Sequence, residues 1–494
     1  MGSDLGMKLF AAAMFSLLAL GLVSMALQVP VTGRAAQTIE ARPQIAFIET
    51  PLLVPGEPSK RFPQGSHLVR MTMGAQSRSP VNLTPQFFAV AYPRMSFDGA
   101  WVLFSAQTGK NSGWQIWEMA ADGSRPRQLT HCLGDCLQAA YLPRNQIVYT
   151  AIGGNGPQRS STLYVSQWNG ENAHPITFGP GNFQVETVLH SGRVLVSAER
   201  PLLAGGKGWG HRALYTIRPD GTGLHLFRQD ASVNSVRGGA EELEDGTILF
   251  VEGKGAAQQV GGELAWIPPG SLHAAEITTL PSVYESAHEL QAGNLMVAKQ
   301  NSGPSATNRT FDLYSFDLAS RTLGDRLYRQ PKSSSVSPVP FAPHPVPLYY
   351  PSILHPEEKT GRFLCLNSYI SADAAHGHIA GHIAQVRVIA LEQGHHERIL
   401  GNAPVEKDGS FYMTVPSDTP IRFELLGARG AVIRAQKSWI WTRPGEDRGC
   451  LGCHESQALA PENRWPLTLN RSDTPTPVGV PIHPQGNTLN TRNR

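Results

Sequence analysis

The stretch Pro93–Thr130, PRMSFDGAWVLFSAQTGKNSGWQIWEMAADGSRPRQLT, contains two β-hairpin signals in succession. Its first half, Ser96–Ala106, is a turn followed by a largely apolar run. Its second half, Trp114–Ser124, is an aromatic run followed by a second turn. Asp-Gly closes both turns, and this dipeptide between apolar or alternating runs is typical of tight hairpins. The stretch therefore predicts consecutive antiparallel strands and an all-β fold.

The same two halves recur along the chain at intervals of roughly 45 to 50 residues. Further copies begin near residues 138, 184, 237 and 284, and the segment 44–84 has the character of a sixth. This interval suits a propeller blade of four strands, and the first half resembles the repeat of TolB-type propellers. We predict a six-bladed β-propeller over residues 43–351, or a seven-bladed one if residues 347–354 add strands. An array of β-sandwiches is the rival, but it does not explain the paired halves.

The composition indicates a globular protein without a polyanionic partner. Hydrophobic residues make up 41% of the 494 residues and charged residues 16%. The 42 Lys and Arg residues nearly balance the 39 Asp and Glu residues, for a formal net charge of +3. This balance argues against nucleic acid as a partner. The 49 glycines and 38 prolines favour a turn-rich β protein over a disordered one.

The N-terminus has the features of an export signal. Lys8 precedes the uncharged apolar run Leu9–Leu27, and Ser24 and Ala26 supply small residues for a cleavage site. The run is also long enough to cross a bilayer. Residues 1–36 are thus predicted to be a signal peptide or an uncleaved signal anchor. We expect a periplasmic or extracellular protein that contacts a membrane only through this segment.

A second domain is expected after the propeller. Residues 329–352 are rich in Pro and Ser and predict a linker or a strap across the propeller. Alternating runs separated by turns then predict a small antiparallel β-sandwich over residues 352–442. We assign residues 443–470 to a haem-binding segment, on the grounds given next, and residues 471–494 to a disordered tail.

The haem assignment rests on the sequence Cys450-Leu-Gly-Cys453-His454. In c-type haem attachment, two thiols at this spacing add to the vinyl groups of the porphyrin, and the adjacent histidine becomes the proximal iron ligand. A thioredoxin-like pair would need a βαβ context, and a zinc knuckle would need two further ligands nearby. A simple disulfide would not need the histidine. The motif therefore predicts one covalent haem c bound by Cys450, Cys453 and His454.

The region around this motif resembles a known family. The matching residues are Ser438, Trp439, Pro444, Gly445, Glu446, Cys450, Gly452, Cys453, His454 and Glu455. They are similar to the haem-bearing region of the hydrazine synthase alpha subunit family, in detail over about residues 399–455. The resemblance implies a TolB-like propeller, a small β domain and one covalent haem. The catalytic haem of that enzyme has a tyrosine ligand four residues after the histidine. This chain has Ala458 there, and no tyrosine follows, so the resemblance does not imply hydrazine synthesis.

The sequence alone does not identify the sixth iron ligand. His376, His378 and His382 are the first candidates, either as that ligand or as a separate zinc or copper site. The remaining candidates are His395, His396, Met413 and His483. Arg443 and Arg448 are interpreted either as partners of a haem propionate or as solvated surface residues.

The other three cysteines have structural interpretations. In an oxidising compartment, Cys132 and Cys136 are expected to form a disulfide. A metal site that includes His131 is the alternative. Cys365 lies in an apolar run and is predicted to be a buried thiol.

Two functions of different class follow from these features. In the first, the protein transfers electrons within a redox complex, and the propeller is the platform for a redox partner protein. In the second, the haem is catalytic and acts on small nitrogen or oxygen compounds. Iron coordination distinguishes them, because a closed sixth position suits a carrier and an open one suits ligand chemistry. In both, we expect the haem to pack where the small domain meets the propeller.

Overall fold

The computed structural model is almost entirely β-structure. It describes residues 43–74, 79–154, 160–201, 209–227, 235–254, 260–271, 276–277, 282–301, 310–371, 377–392, 396–436, 438–452, 464–471 and 474–480. The predicted signal segment lies outside these ranges. Within them, no helix combines the length and apolarity needed to span a bilayer. The two short helices described are a 3-10 turn at Pro58–Lys60 and α1 at Leu467–Arg471.

The N-terminal part of the described chain consists of short strands in four-stranded antiparallel groups. In chain order they are β1 (Gln44–Thr50), β2 (His67–Thr72), β3 (Val81–Asn82), β4 (Ala89–Met95), β5 (Trp101–Gln107), β6 (Gln115–Ala120), β7 (Arg127–Gln128), β8 (Asp135–Leu142), β9 (Gln146–Gly153), β10 (Ser160–Gln167), β11 (His174–Pro175), β12 (Asn182–Val188), β13 (Val194–Pro201), β14 (Trp209–Ile217), β15 (His225–Leu226), β16 (Ser235–Glu242), β17 (Ile248–Lys254), β18 (Glu263–Ile267), β19 (Glu276–Ile277), β20 (Tyr284–Gln291), β21 (Asn294–Gln300), β22 (Phe311–Asp317), β23 (Thr322–Tyr328) and β24 (Ser334–Pro340). By their antiparallel pairing the groups are β4–β7, β8–β11, β12–β15, β16–β19, β20–β23, and β1–β3 completed by β24. Single parallel bridges, between β10 and β12 and between β14 and β16, join the strands β8–β19 into one twelve-stranded sheet. This is propeller topology, because the last strand pairs with the first and brings both ends of the region into one sheet.

The Asp-Gly turns of the sequence form as hairpin turns for a local reason. Asp98 Oδ1 accepts hydrogen bonds from the Ala100 N–H at 3.0 Å and from the Ser96 hydroxyl at 2.5 Å. Gly99 has φ +69°, and a Cβ there would lie 2.8 Å from the nitrogen of Pro343. An aspartate likewise accepts a hydrogen bond from the N–H two residues later at Asp122, Asp220, Asp245 and Asp408. Asp and Gly are thus selected together by the turn.

Residues 341–359 contain no strand and run as a strap across the hairpin turns of the propeller. The N–H of Leu348 donates to the carbonyl of His190 at 2.9 Å. The guanidinium of Arg144 lies 3.6 Å from the centre of the Tyr349 ring. The strand content proposed for residues 347–354 is therefore wrong, and this segment adds no strands to the propeller.

The small domain packs two four-stranded sheets against each other. Its strands are β25 (Thr360–Cys365), β26 (Gln385–Leu391), β27 (Glu397–Pro404), β28 (Phe411–Pro416), β29 (Ile421–Leu426), β30 (Val432–Ala435), β31 (Asp447–Cys450) and β32 (Thr476–Pro477). One sheet has the order β31-β25-β28-β32 and the other β27-β26-β29-β30. A shared core of apolar residues, including Phe363, Val388 and Met413, lies between them.

Two expectations about this domain need correction. The sheets are not purely antiparallel, because β31 and β32 each pair in parallel with their neighbours. The tail assigned as disordered over 471–494 contributes β32, and Val478 beside it is 2% exposed within the core. Turn-rich, polar sequence around a single buried valine gives no periodic signal for so short a strand.

Candidate functional site

The first cysteine of the predicted haem motif lies at the end of an edge strand. Cys450 is the last residue of β31 and is the register partner of Cys365 on β25. The N–H of Leu366 donates to the Cys450 carbonyl at 2.9 Å. Its side chain is half-buried against the small-domain core, while Leu451 is 38% exposed. Cys453, His454 and Glu455 lie outside the described residues. The backbone of Cys450 is thus held in the sheet, with its side chain at the rim of the small-domain core.

Gly452 is required by close packing. A Cβ at this position would lie 2.5 Å from the carbonyl oxygen of Ile370, too close for any side chain. Gly449, three residues earlier in β31, has no atom within 4 Å of such a Cβ. The chain between the two cysteines is therefore pressed against the segment around Ile370.

Of the three first-choice histidines, the structure places His378 beside this segment. Ile370, which contacts Gly452, forms an isolated antiparallel bridge with His378. The imidazole stacks on Tyr369 with ring centres 5.5 Å apart and planes 6° apart. His378 Nδ1 lies 3.1 Å from the carbonyl of Ile379. A carbonyl can only accept, so Nδ1 donates to it, and Nε2 is the ring nitrogen that this contact leaves available to a metal.

The other candidate ligands are placed differently. His382 and His396 are exposed, and Met413 is fully buried inside the small-domain core at 0% exposure. Met413 could reach an iron only by leaving that core, so it does not fit. His376, His395 and His483 lie outside the described residues. Over the described ranges, no group of three or more His, Cys, Asp or Glu side chains could hold a metal ion, so a separate zinc or copper site gains no support.

The Pro444-Gly445-Glu446 turn feeds the chain into β31. Gly445 has φ +72°, and a Cβ there would lie 2.8 Å from the His355 ring. Glu446 is 5% exposed and accepts a hydrogen bond from the N–H of Arg443 at 2.7 Å. Burial raises the pKa of Glu446, although this hydrogen bond and nearby Arg448 oppose the rise. These contacts fix the shape of the turn that precedes β31.

Trp441 fastens the small domain to the propeller. Its side chain is 2% exposed and belongs to the propeller core cluster that also contains Val165 and Phe183. The Phe178 and Phe183 rings lie edge-on to the indole at 6.0 and 6.1 Å. The indole N–H donates to the carbonyl of Gly221 at 3.4 Å. The neighbouring Ile440 forms an isolated antiparallel bridge with Ile421 of β29.

The arginine interpretation is corrected for Arg443. It is 6% exposed, and it donates to Asp418 at 2.7 Å and to the Asp220 carbonyl of the propeller at 2.9 Å. Burial raises the pKa of Asp418, and the adjacent guanidinium opposes the rise. This guanidinium is therefore committed to the interface between the domains rather than to a propionate or to solvent.

Arg448 also connects the two domains. It donates to the carbonyl of Trp441 at 2.8 Å and to the carbonyl of Leu224 in the propeller at 3.4 Å. Arg448 lies two residues before Cys450, and alternate residues of a strand point to the same face. The cysteine thus shares a face with a side chain that reaches the propeller.

Of the remaining cysteines, two lie in the propeller, away from this site, and Cys365 lies next to Cys450 across the β25–β31 pairing. Cys132 and Cys136 are joined by a disulfide with their Cα atoms 6.2 Å apart, at the start of β8. His131, the extra ligand of the alternative metal site, is exposed and lies 3.1 Å from the amide nitrogen of Gln128. Cys365 is 2% exposed.

Comparisons with known proteins bear on this domain and on the whole fold. Residues 363–455 match the family model described as the hydrazine synthase alpha subunit middle domain. Hydrazine synthase subunit alpha of Kuenenia stuttgartiensis is 32% identical over 108 residues, which are 21% of this chain and 13% of that protein. The sequence match thus spans only a small part of the length of that relative.

Solved structures extend the similarity at the level of fold. Hydrazine synthase of Kuenenia stuttgartiensis superposes with a TM-score of 0.75 at 20% identity, over 87% of this chain and 72% of that one. TolB from Acinetobacter baumannii superposes with a TM-score of 0.42 at 14% identity, over 60% of this chain and 66% of that one. The first similarity covers both the propeller and the small domain, and the second is too low to add to it.

Proposed function

Since residues 363–455 belong to the hydrazine synthase alpha-like family, we propose that this chain is an exported monohaem c-type cytochrome that transfers electrons within a redox complex. The observation that carries the proposal is the position of Cys450. It is the first thiol of a C-x-G-C-H motif and ends an edge strand, and Gly452 holds the following turn against Ile370.

The described residues fit covalent haem attachment. The Cys450 thiol is half-buried at the rim of the small domain, where one thioether can form without opening the core. Cys453 and His454 supply the second thioether and the proximal ligand in the motif. A bound haem would supply one-electron iron chemistry. The chain's own contribution is to fix the first thiol and to hold the motif at the surface, within reach of a partner.

His378 is the side chain best suited to be the sixth ligand. Its Nδ1–H is held by the Ile379 carbonyl and its ring by Tyr369, so the orientation of Nε2 is fixed by these two contacts. A ligating histidine commonly donates its other N–H to a carbonyl in this way. His382, four residues on, is exposed. His378 therefore closes the sixth position in this proposal, as an electron-transfer haem requires.

The propeller serves as the platform for a redox partner protein. In this proposal the six four-stranded groups are the six blades of a ring closed by β1 and β24. Closure leaves few exposed sheet edges and presents turns on a rigid support. Trp441, Arg443 and Arg448 fix the small domain to that support, and Cys450 shares the face of Arg448. The haem edge is therefore placed at the boundary of the two domains.

The absorption spectrum of the purified ferric protein tests this proposal. We expect a low-spin spectrum that cyanide and nitric oxide do not change. His378→Ala should convert it to a high-spin spectrum that shifts with either ligand, while His382→Ala, the matched control, should leave it low-spin. A high-spin wild-type spectrum that shifts with cyanide would instead support a haem enzyme acting on small nitrogen or oxygen compounds. An unchanged low-spin spectrum in His378→Ala would exclude this histidine as the ligand.

A further inference from the structure

One strand of each four-stranded group contains a β-bulge. In β4, β8, β12, β16, β20 and β24 the strand carries one more residue than its neighbour across a register shift. The residues at these bulges are Tyr92, Gln138, Glu186, Gly239, Glu285 and Ser337, and all six line one cavity of about 170 Å³. Bulges redirect side chains and are common beside functional sites. Six bulges around one cavity indicate that the propeller axis is built to place side chains there.

Three of these residues have an unfavourable backbone conformation. Tyr92, Gln138 and Ser337 have φ values of 55°, 53° and 50°. Such left-handed conformations are costly for residues other than glycine, and they persist mainly where the surrounding structure enforces them, as at ligand sites. Three of the nine described non-glycine residues with positive φ thus line this one cavity.

Two of the arginines that line the cavity are neutralised by close carboxylates. Arg61 lies 3.0 Å from Glu285. Arg237 lies 2.6 Å from Glu252, and both of these side chains are buried. In each pair the carboxylate balances the positive charge of the arginine, so neither arginine has a net charge to offer a ligand.

Arg94 contacts two acceptors that carry no charge. One Nη donates to the main-chain carbonyl of Glu186 at 2.6 Å, and the other lies 3.2 Å from His288 Nε2. Arginine only donates, so His288 Nε2 accepts, and its Nδ1–H faces Glu241. His288 is thus neutral, and Arg94 keeps its full positive charge at the cavity.

Arg212 approaches the same strand, β12, from the other side. Its Nη1 donates to the amide oxygen of Gln184 at 3.0 Å, and its Nη2 lies 3.8 Å from a carboxylate oxygen of Glu199. One loosely paired cation therefore accompanies Arg94.

Glu186 is the carboxyl group between these arginines. Burial raises its pKa, although the hydrogen bond from the Ala240 N–H and the neighbouring arginines oppose the rise. The titratable and charged groups that line the cavity with it are Arg61, Tyr92, Arg94, Arg212, Arg237, Glu285 and His288. The four arginines outnumber the two carboxyl groups, of Glu186 and Glu285.

We propose that this axial cavity binds a small carboxylate or oxyanion, held by the guanidinium groups of Arg94 and Arg212. Guanidinium groups match such anions in geometry and charge. An apolar cavity of about 150 Å³ accommodates benzene, so the ligand has at most about six non-hydrogen atoms. This site is separate from the cysteine motif and does not depend on haem.

Isothermal titration of the full chain with acetate, nitrate and acetamide at constant ionic strength tests the site. Acetate or nitrate should bind at one site per chain. Acetamide, which has the shape of acetate without its charge, should give no heat of binding. Absence of binding by both anions, or equal binding of acetate and acetamide, would overturn the proposal.

Substitutions locate the binding. Arg94→Gln and Arg212→Gln should each weaken anion binding at least about tenfold, the loss expected when a charged hydrogen bond is removed. Arg398→Gln, on the exposed surface of the small domain, is the control and should bind as the wild type does. Circular dichroism establishes that each variant is folded, and either arginine variant decides the question if the other does not fold. Wild-type affinity in a folded arginine variant would exclude the axial cavity.

Discussion

Replacing Trp441 by alanine should uncouple the small domain from the propeller. The indole is 2% exposed and lies in the propeller core, although it belongs to the segment that leads into β31. Truncation removes two edge-on ring contacts, with Phe178 and Phe183, and leaves the Gly221 carbonyl without the indole N–H. The variant therefore loses the ring contacts and the hydrogen bond that join this segment to the propeller.

The magnitude follows from the burial. Replacing a buried tryptophan by alanine costs about 3–5 kcal/mol, and the weak 3.4 Å hydrogen bond places the expected loss near the middle, at about 4 kcal/mol. At about 1.4 kcal/mol per factor of ten, this is a several-hundredfold change in the unfolding equilibrium. Part of it is coupling energy between the domains, so the domains should no longer unfold together.

Differential scanning calorimetry measures both effects. We expect one cooperative transition for the wild type and two separated transitions for Trp441→Ala, the first at a lower temperature. Trp465→Ala is the matched control, because that indole is 69% exposed and its removal should change the stability by no more than about 0.5 kcal/mol. A Trp441→Ala protein that unfolds in one transition within about 1 kcal/mol of the wild type would refute the role assigned to this side chain.

Three further results are expected. Gly452→Ala should lower covalent haem loading severalfold, because its Cβ would lie 2.5 Å from the Ile370 carbonyl oxygen. Gly449→Ala has open space around its Cβ and should load haem normally. Equal haem staining of the two variants on a denaturing gel would contradict the packing argument. Cys132→Ser should keep full haem staining, since its disulfide lies in the propeller, and a loss would implicate that loop in attachment. Burial raises the pKa of Glu186, so acetate affinity should fall as the pH rises through that pKa and the carboxylate becomes charged. The Glu186→Gln variant should bind acetate with little pH dependence. An equally steep fall in acetate affinity in that variant would assign the titration to another group.

Hairpin positions were accessible from the sequence because their signal is local. The Asp-Gly turn at Asp98 and the apolar run after it predicted the β4–β5 pair, and the structure shows the aspartate bonded within its own turn. The motif at Cys450 is equally local in the sequence, and its assignment to haem stays a prediction.

Features that depend on distant contacts were not accessible. Trp441 lies in an aromatic run that reads as a strand, and nothing local shows that its side chain enters the propeller core. His378 and His382 are equivalent as sequence, and only the bridge to Ile370 distinguishes them. One extra residue in a strand leaves no mark in the hydrophobic pattern, so the ring of bulges around Glu186 is visible only in the structure.

The most direct test of the central claim is the mass of the tryptic peptide Gly449–Arg464 from the exported protein. This peptide contains Cys450, Cys453 and His454 and no other cysteine. The account predicts a peptide heavier by one haem, with both sulfurs in thioether bonds, and its loss in the Cys450→Ala, Cys453→Ala double variant. A wild-type peptide without haem, whether its cysteines are reduced or joined in a disulfide, would contradict the proposed function.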